Sequence, residues 1–214
     1  MPTAAPTALV LFGDVIRSRR EPSAATDWLR TLAADLTEAY PADERLAAFE
    51  FTQGDEIQGL LAPSADPIPA VLRAALHPER REMRWVIVRG AVDAGEGPAT
   101  QRSGPAFIAA RERLGLAAAR REAVAATTGN PTTDRLLDGV APAFGELLGD
   151  LTRRQREIGW HLLVERLRQS EVAARLGVSR ATISVAADRA HLRAIGDLGS
   201  ALATLIAASP SEAG

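Results

Sequence analysis

The chain has 214 residues, 46% of them hydrophobic, enough to bury one large core or two modest ones. It has no cysteine, and all 25 of its basic residues are arginine. Disulfides, thiolate nucleophiles, Cys-ligated zinc, Schiff-base lysines and a Walker-type phosphate lysine are therefore excluded. His77, His161 and His191 lie far apart and show no metal-ligand spacing. The formal net charge of −2 argues, taken alone, against a nucleic-acid binder, but the charge is uneven. From Asp150 to Arg193 there are nine arginines against five acids, so a basic segment follows an acidic one, the footprint expected of a local DNA surface.

Thr7 to Gly13 is a continuous apolar run and predicts a buried strand with Asp14 at its carboxyl end. The run reaches Gly13-Asp14 too soon for a secretory signal, and no stretch approaches the roughly 18 apolar residues of a membrane span, so a cytoplasmic location is expected. Trp28, Leu29, Leu32, Leu36 and Tyr40 recur at helical spacing up to Pro41. Leu46 to Thr52 and Ile57 to Leu61 flank Gln53-Gly54-Asp55-Glu56, the pattern of a hairpin. Helices are expected over Pro67 to His77 and from Pro105 to about Arg121, with strands at Arg84 to Val92 and Glu122 to Thr127. The order strand, helix, strand, strand, helix, strand, helix, strand predicts an α+β fold, a mixed sheet with helices on one face.

Gly129-Asn130-Pro131 marks a boundary, which divides the chain into a sheet domain (1–130), a linker helix (131–150), a helical unit (151–192) and a tail helix (193–208). Within the helical unit, Gln169 to Arg189 reads as two short helices around a turn at Gly177. Val172, Leu176, Val178, Ile183 and Ala186 fall inward, and Ala173 is small enough for the helices to cross closely. Gly177 suits the left-handed turn, and Ser179 caps the second helix. This is the spacing of a helix-turn-helix, with double-stranded DNA as the partner. Ser179, Arg180, Thr182 and Ser184 are the expected base readers. Arg168, Arg175 and Arg189 face phosphates, with Gln169 at the start of the first helix. The same spacing would also serve a helical bundle packed for its own sake, or one that binds a protein. Leu192, Ile195, Leu198, Leu202 and Leu205 continue as an apolar seam that would make a homodimer or pack back on its own domain.

Asp14 ends a strand, and Asp55 and Glu56 occupy a hairpin tip expected beside it. Adjacent carboxylates in such places hold hard cations, so Asp14 and Asp55 are candidate Mg²⁺ ligands, with ordinary turn chemistry as the alternative.

Three stretches carry a resemblance: Phe12 to Arg19 (FGDVIRSR), Gln53 to Leu61 (QGDEIQGLL), and Gly104 to Phe107 (GPAF) with Ala110-Arg111-Glu112. In these the chain resembles the SatD-like bacterial family. They also look like the ferredoxin-like palm of class III adenylyl and diguanylate cyclases. That resemblance implies a nucleotide or cyclic nucleotide bound near Asp14, Arg17, Ser18, Gln53, Gly54, Asp55, Glu56, Gly104 and Arg111. It makes Asp14 and Asp55 the metal carboxylates and sets Arg111 where cyclases keep a transition-state arginine. The pattern departs from the cyclases where Phe107 replaces an asparagine, Gln53 replaces a glycine and no lysine exists to select a purine. The expected protein is a ligand-controlled repressor with a degenerate cyclase-like domain. The alternative is a Mg²⁺-dependent nucleotidyl or diguanylate cyclase tethered to DNA.

Overall fold

The computed structural model describes residues 5–16, 22–52 and 55–209, the side chains of residues 22–25 aside. A sheet domain comes first, with β1 (Thr7–Val15), α1 (Pro22–Ala39), β2 (Arg45–Phe51), β3 (Glu56–Leu61), α2 (Ile68–Leu76), β4 (Met83–Ala91), α3 (Pro105–Arg120) and β5 (Val124–Thr127). Five helices follow, α4 (Pro131–Gly149), α5 (Arg153–Gly159), α6 (Gln169–Leu176), α7 (Arg180–Arg189) and α8 (Leu192–Ala208). A π-helical turn, Trp160–Val164, continues α5.

The five strands form one mixed sheet in the order β2-β3-β1-β4-β5. β1 is its centre and runs antiparallel to both β3 and β4, while β5 lies parallel to β4. The β1-α1-β2 and β3-α2-β4 crossovers interleave: each joins two strands that flank a strand of the other.

Helices cover both faces, which corrects the expectation of one covered face. Leu9, Leu11, Trp85 and Ile87 point to the side of α1, α2 and α4; Val10, Phe12, Val86 and Val88 point to α3. The physical reason stands in β1 itself. Ala8, Leu9, Val10 and Leu11 are consecutive and all fully buried, and a strand apolar at every position needs cover on both sides.

The Gly129-Asn130-Pro131 boundary is a clamped turn, not a slack linker. Asp134 accepts hydrogen bonds from the Thr127 and Thr128 hydroxyls and from the Thr128 and Gly129 amides, while Asn130 caps α4 through the Thr132 and Thr133 amides. α4 is accordingly a layer of the fold, with Leu137, Ala141, Phe144 and Leu148 buried against the sheet side. Thr152 then opens α5 with a reciprocal capping box to Gln155.

The seam proposed for a dimer lies inside the chain. Leu192, Ile195 and Leu202 are buried, joined by Gly199 and Ile206, and Leu198 and Leu205 pack at the margin of the same cluster. Gly199 is pressed so close to α2 and α4 that a β-carbon there would stand 2.9 Å from Ile68 and 3.5 Å from Phe144. The spacing of threes and fours fits a coiled coil and a core equally, and here the core takes it. Beyond α8, the Ser209 hydroxyl donates to that of Thr128 at 3.0 Å, tying the tail to the β5-α4 turn. Among the described residues no helix is long and apolar enough to cross a membrane.

Candidate functional site

Pairing register brings the acidic and basic groups together. Asp14 at the end of β1 stands opposite Glu56 on β3 and Arg84 on β4, so all three project to the α3 side of the sheet. Arg84 Nη1 lies 3.3 Å from an Asp14 carboxylate oxygen. Glu56, only 7% exposed, is gripped by both terminal nitrogens of Arg111 from α3 and accepts from the Gln58 amide at 2.7 Å. The Arg111 guanidinium also lies 4.8 Å from the Phe12 ring centre, with Phe107 packed 6.0 Å beyond.

Asp14 is held to about 6, well above the ordinary carboxyl value of 3.8. Burial is the largest cause, Asp55 and Glu56 add repulsion, and Arg84 and Arg111 oppose them. Carboxylates that crowd each other this way suit a divalent cation. Among the described residues, however, no three of His, Asp and Glu gather in ligand geometry. Asp14 and Asp55 are the carboxylates that a divalent cation would meet at this end of the sheet.

An open cleft of about 600 Å³ adjoins this cluster. Phe12, Phe107 and Ile108 form its apolar wall, and Gln58, Asp93, Thr100, Arg102, Ser103 and Arg111 bring the polar groups. Gly104 stands at the amino end of α3 with φ 128°, and a β-carbon there would lie 2.6 Å from the Asp93 amide nitrogen, so only glycine lets the loop approach so closely. The cleft therefore meets the positive end of a 16-residue helix with Arg102 beside it, while Asp93 there accepts from the Ser103 hydroxyl at 2.8 Å and Arg111 is paired with Glu56.

At the other end of the chain, α6 stops at Gly177, whose φ of 65° turns the backbone towards α7. Ser179 caps α7 by accepting from the Thr182 amide at 3.1 Å. Val172, Ala173, Ile183 and Ala187 are buried between the helices and their supports. Arg168, Ser179, Arg180, Thr182 and Arg189 are exposed, while Gln169 and Ser184 are half-buried. Arg175 is not free: its guanidinium binds Glu165, which also accepts from the Trp160 indole and pairs with His161.

Asp14, Asp55, Glu56 and Arg111 thus come together at one end of the sheet, whereas Gly104 packs on Val92 and Asp93 at the other end, and Arg17, Ser18, Gln53 and Gly54 lie outside the described residues. Arg111, expected to face a substrate, is committed to Glu56. Sequence reasoning missed Arg84 and Gln58, whose roles depend on strand register. It also missed Val185, 49% exposed at the centre of the outward face of α7. Its signal was legible, since a valine two residues after Ile183 lies off the inward stripe. Comparisons of the chain with protein-family models, curated proteins and solved structures return no match.

Proposed function

We propose that the protein is a DNA-binding transcription repressor whose α6 and α7 form a helix-turn-helix, controlled by a nucleotide or cyclic nucleotide in a degenerate cyclase-like palm. The observation that carries the reading is the first turn of α7. Ser179, Arg180 and Thr182 stand exposed there at a capped helix start, on the most basic segment of an otherwise acidic chain. Helix starts of this kind enter the major groove, where arginine pairs with guanine and small hydroxyls suit several bases. Val185, one turn on, offers a methyl surface suited to thymine.

The interleaved crossovers support the palm reading, because they are those of a ferredoxin-like sheet. The cleft that runs along α3 from its amino end to Arg111 supports nucleotide binding, and in the palm reading Asp14 and Asp55 beyond Arg111 would hold Mg²⁺ against the phosphates. Arg111 bound to Glu56, with Phe107 against Phe12, favours holding a nucleotide over converting it. The repressor acts as a cytoplasmic homodimer, through a surface other than the buried stripe of α8. Nucleotide binding changes the spacing of its two recognition helices.

Selection of duplexes from a random library on the full-length protein, followed by anisotropy with and without ATP, GTP and their cyclic forms, tests the reading. It expects one enriched, two-fold symmetric site whose affinity a nucleotide alters. Failure to enrich any sequence overturns the DNA assignment. Cyclic product formed from ATP or GTP with Mg²⁺, and lost in Asp14→Ala, would favour the tethered cyclase instead.

A further inference from the structure

The face of the sheet opposite α3 carries a second, partly open cavity of about 200 Å³. Val71 of α2, Met83 and Trp85 of β4, Val124 of β5 and Leu148 of α4 form its apolar walls. An aliphatic cavity of roughly 150 Å³ is known to admit benzene, so this one has room for a six-membered ring and a small substituent.

Two further observations give that substituent its chemistry. Trp85 is 2% exposed, and its indole nitrogen has no hydrogen-bond partner among the described residues. Buried donors almost always have an acceptor, and one that lacks it beside a cavity asks for an acceptor from a ligand. The second observation is charge. Arg80 lines the cavity, half-buried, and donates to the carbonyls of Leu148 at 3.0 Å and Gly149 at 3.4 Å, where α4 ends. Burial is the main cause that lowers its pKa, the nearby Arg156 guanidinium lowers it further and Glu82 opposes them; with Arg81 also on the lining, two arginines stand against one carboxylate. Glu82, on the exposed rim, is the one carboxylate among the described residues that line it.

We propose that this cavity binds a small aromatic carboxylate of about the size of benzoate. The apolar walls hold the ring, and the carboxylate accepts the Trp85 indole N–H within the field of Arg80. The ligand would touch the last turn of α4, which ends three residues before the Thr152 cap of α5, and so brace the joint from which the C-terminal helices start. The proposal needs neither DNA nor nucleotide, so it stands or falls separately from the repressor reading.

The test is titration of the ¹⁵N-labelled full-length protein with benzoate, following its three tryptophan indole signals by NMR. Trp85→Phe identifies the signal of Trp85 and removes the donor while keeping an aromatic side chain. Saturable movement of that signal is expected. Trp85→Phe should bind benzoate about tenfold or more weakly, as loss of a hydrogen bond to a charged acceptor implies, measured by calorimetry. Ala75→Leu, which fills the cavity from α2 and leaves Trp85 in place, should abolish binding while melting at a temperature near that of the parent. The neutral isostere benzamide should bind more weakly than benzoate. A Trp85 signal unmoved by millimolar benzoate overturns the site. Undiminished binding in Ala75→Leu places benzoate elsewhere and does the same, and benzamide bound as tightly as benzoate overturns the carboxylate assignment.

Discussion

Asp14→Asn removes a carboxylate that the fold holds at a cost. In the folded chain this group protonates at about 6, against 3.8 when unperturbed, so in the window between those values the native state binds the proton more tightly. Folding is therefore favoured by the protonated form. Stability is greatest below about pH 4 as far as this group is concerned, and falls as pH rises to about 6. A shift of that size corresponds to about 3 kcal/mol, reduced to about 2 kcal/mol because the side chain keeps 27% of its surface in water and is screened there. Asparagine keeps the shape and does not titrate. Urea unfolding of parent and variant should show the variant gaining about 2 kcal/mol on the parent between pH 4 and pH 7.5. Parallel profiles, or a parent that gains on the variant as pH rises, would refute the claim that burial and the neighbouring carboxylates outweigh Arg84.

Other consequences can be checked in the same way. If Asp14 and Asp55 share Mg²⁺ with a phosphate, adding Mg²⁺ with nucleotide at pH 7.5 should raise the melting temperature of the parent and not of Asp14→Asn; equal shifts would remove Asp14 from the metal site. Arg180→Ala should weaken binding to the selected duplex by about 1–3 kcal/mol in anisotropy titrations, whereas unchanged affinity would exclude Arg180 from base contact. Gly199→Leu should destabilise the fold by about 1–3 kcal/mol in thermal melts, because its side chain meets Ile68 and Phe144. Unimpaired stability in that variant would mean that α8 does not sit where it is described. Arg111→Ala strips Glu56 of its fork and should cost about 1–3 kcal/mol in urea unfolding, with Glu56→Gln restoring part of the loss.

The elements of the sheet domain were legible because each is punctuated: Pro41 after α1, the Gly-Asp tip between β2 and β3, Pro105 at the head of α3. Ser179 and Gly177 were legible for the same reason, since capping and left-handed turns are local chemistry. What local chemistry does not encode was read less well. The fully apolar run of β1 calls for cover on both faces, but which helix crosses to which side follows from strand order and is not written in any one element. Asp14 and Arg84 lie 70 positions apart and meet only through the β1-β4 register. The α8 stripe shows the limit most plainly, since Ile195 and Leu202 need burial and their spacing does not say whether the same chain or a second copy provides it.

The return of α8 to the sheet has a bearing on how the chain is made. Leu202 and Ile206 belong to the same apolar cluster as Leu9 and Leu11, almost 200 positions earlier. As a ribosome releases the N-terminal part first, the α4 side of the sheet stays incompletely covered until the last helix has emerged. Loops that long close slowly, and an exposed apolar layer invites association meanwhile. A stop codon placed after α7 should therefore yield aggregated protein, not a folded chain lacking only its tail.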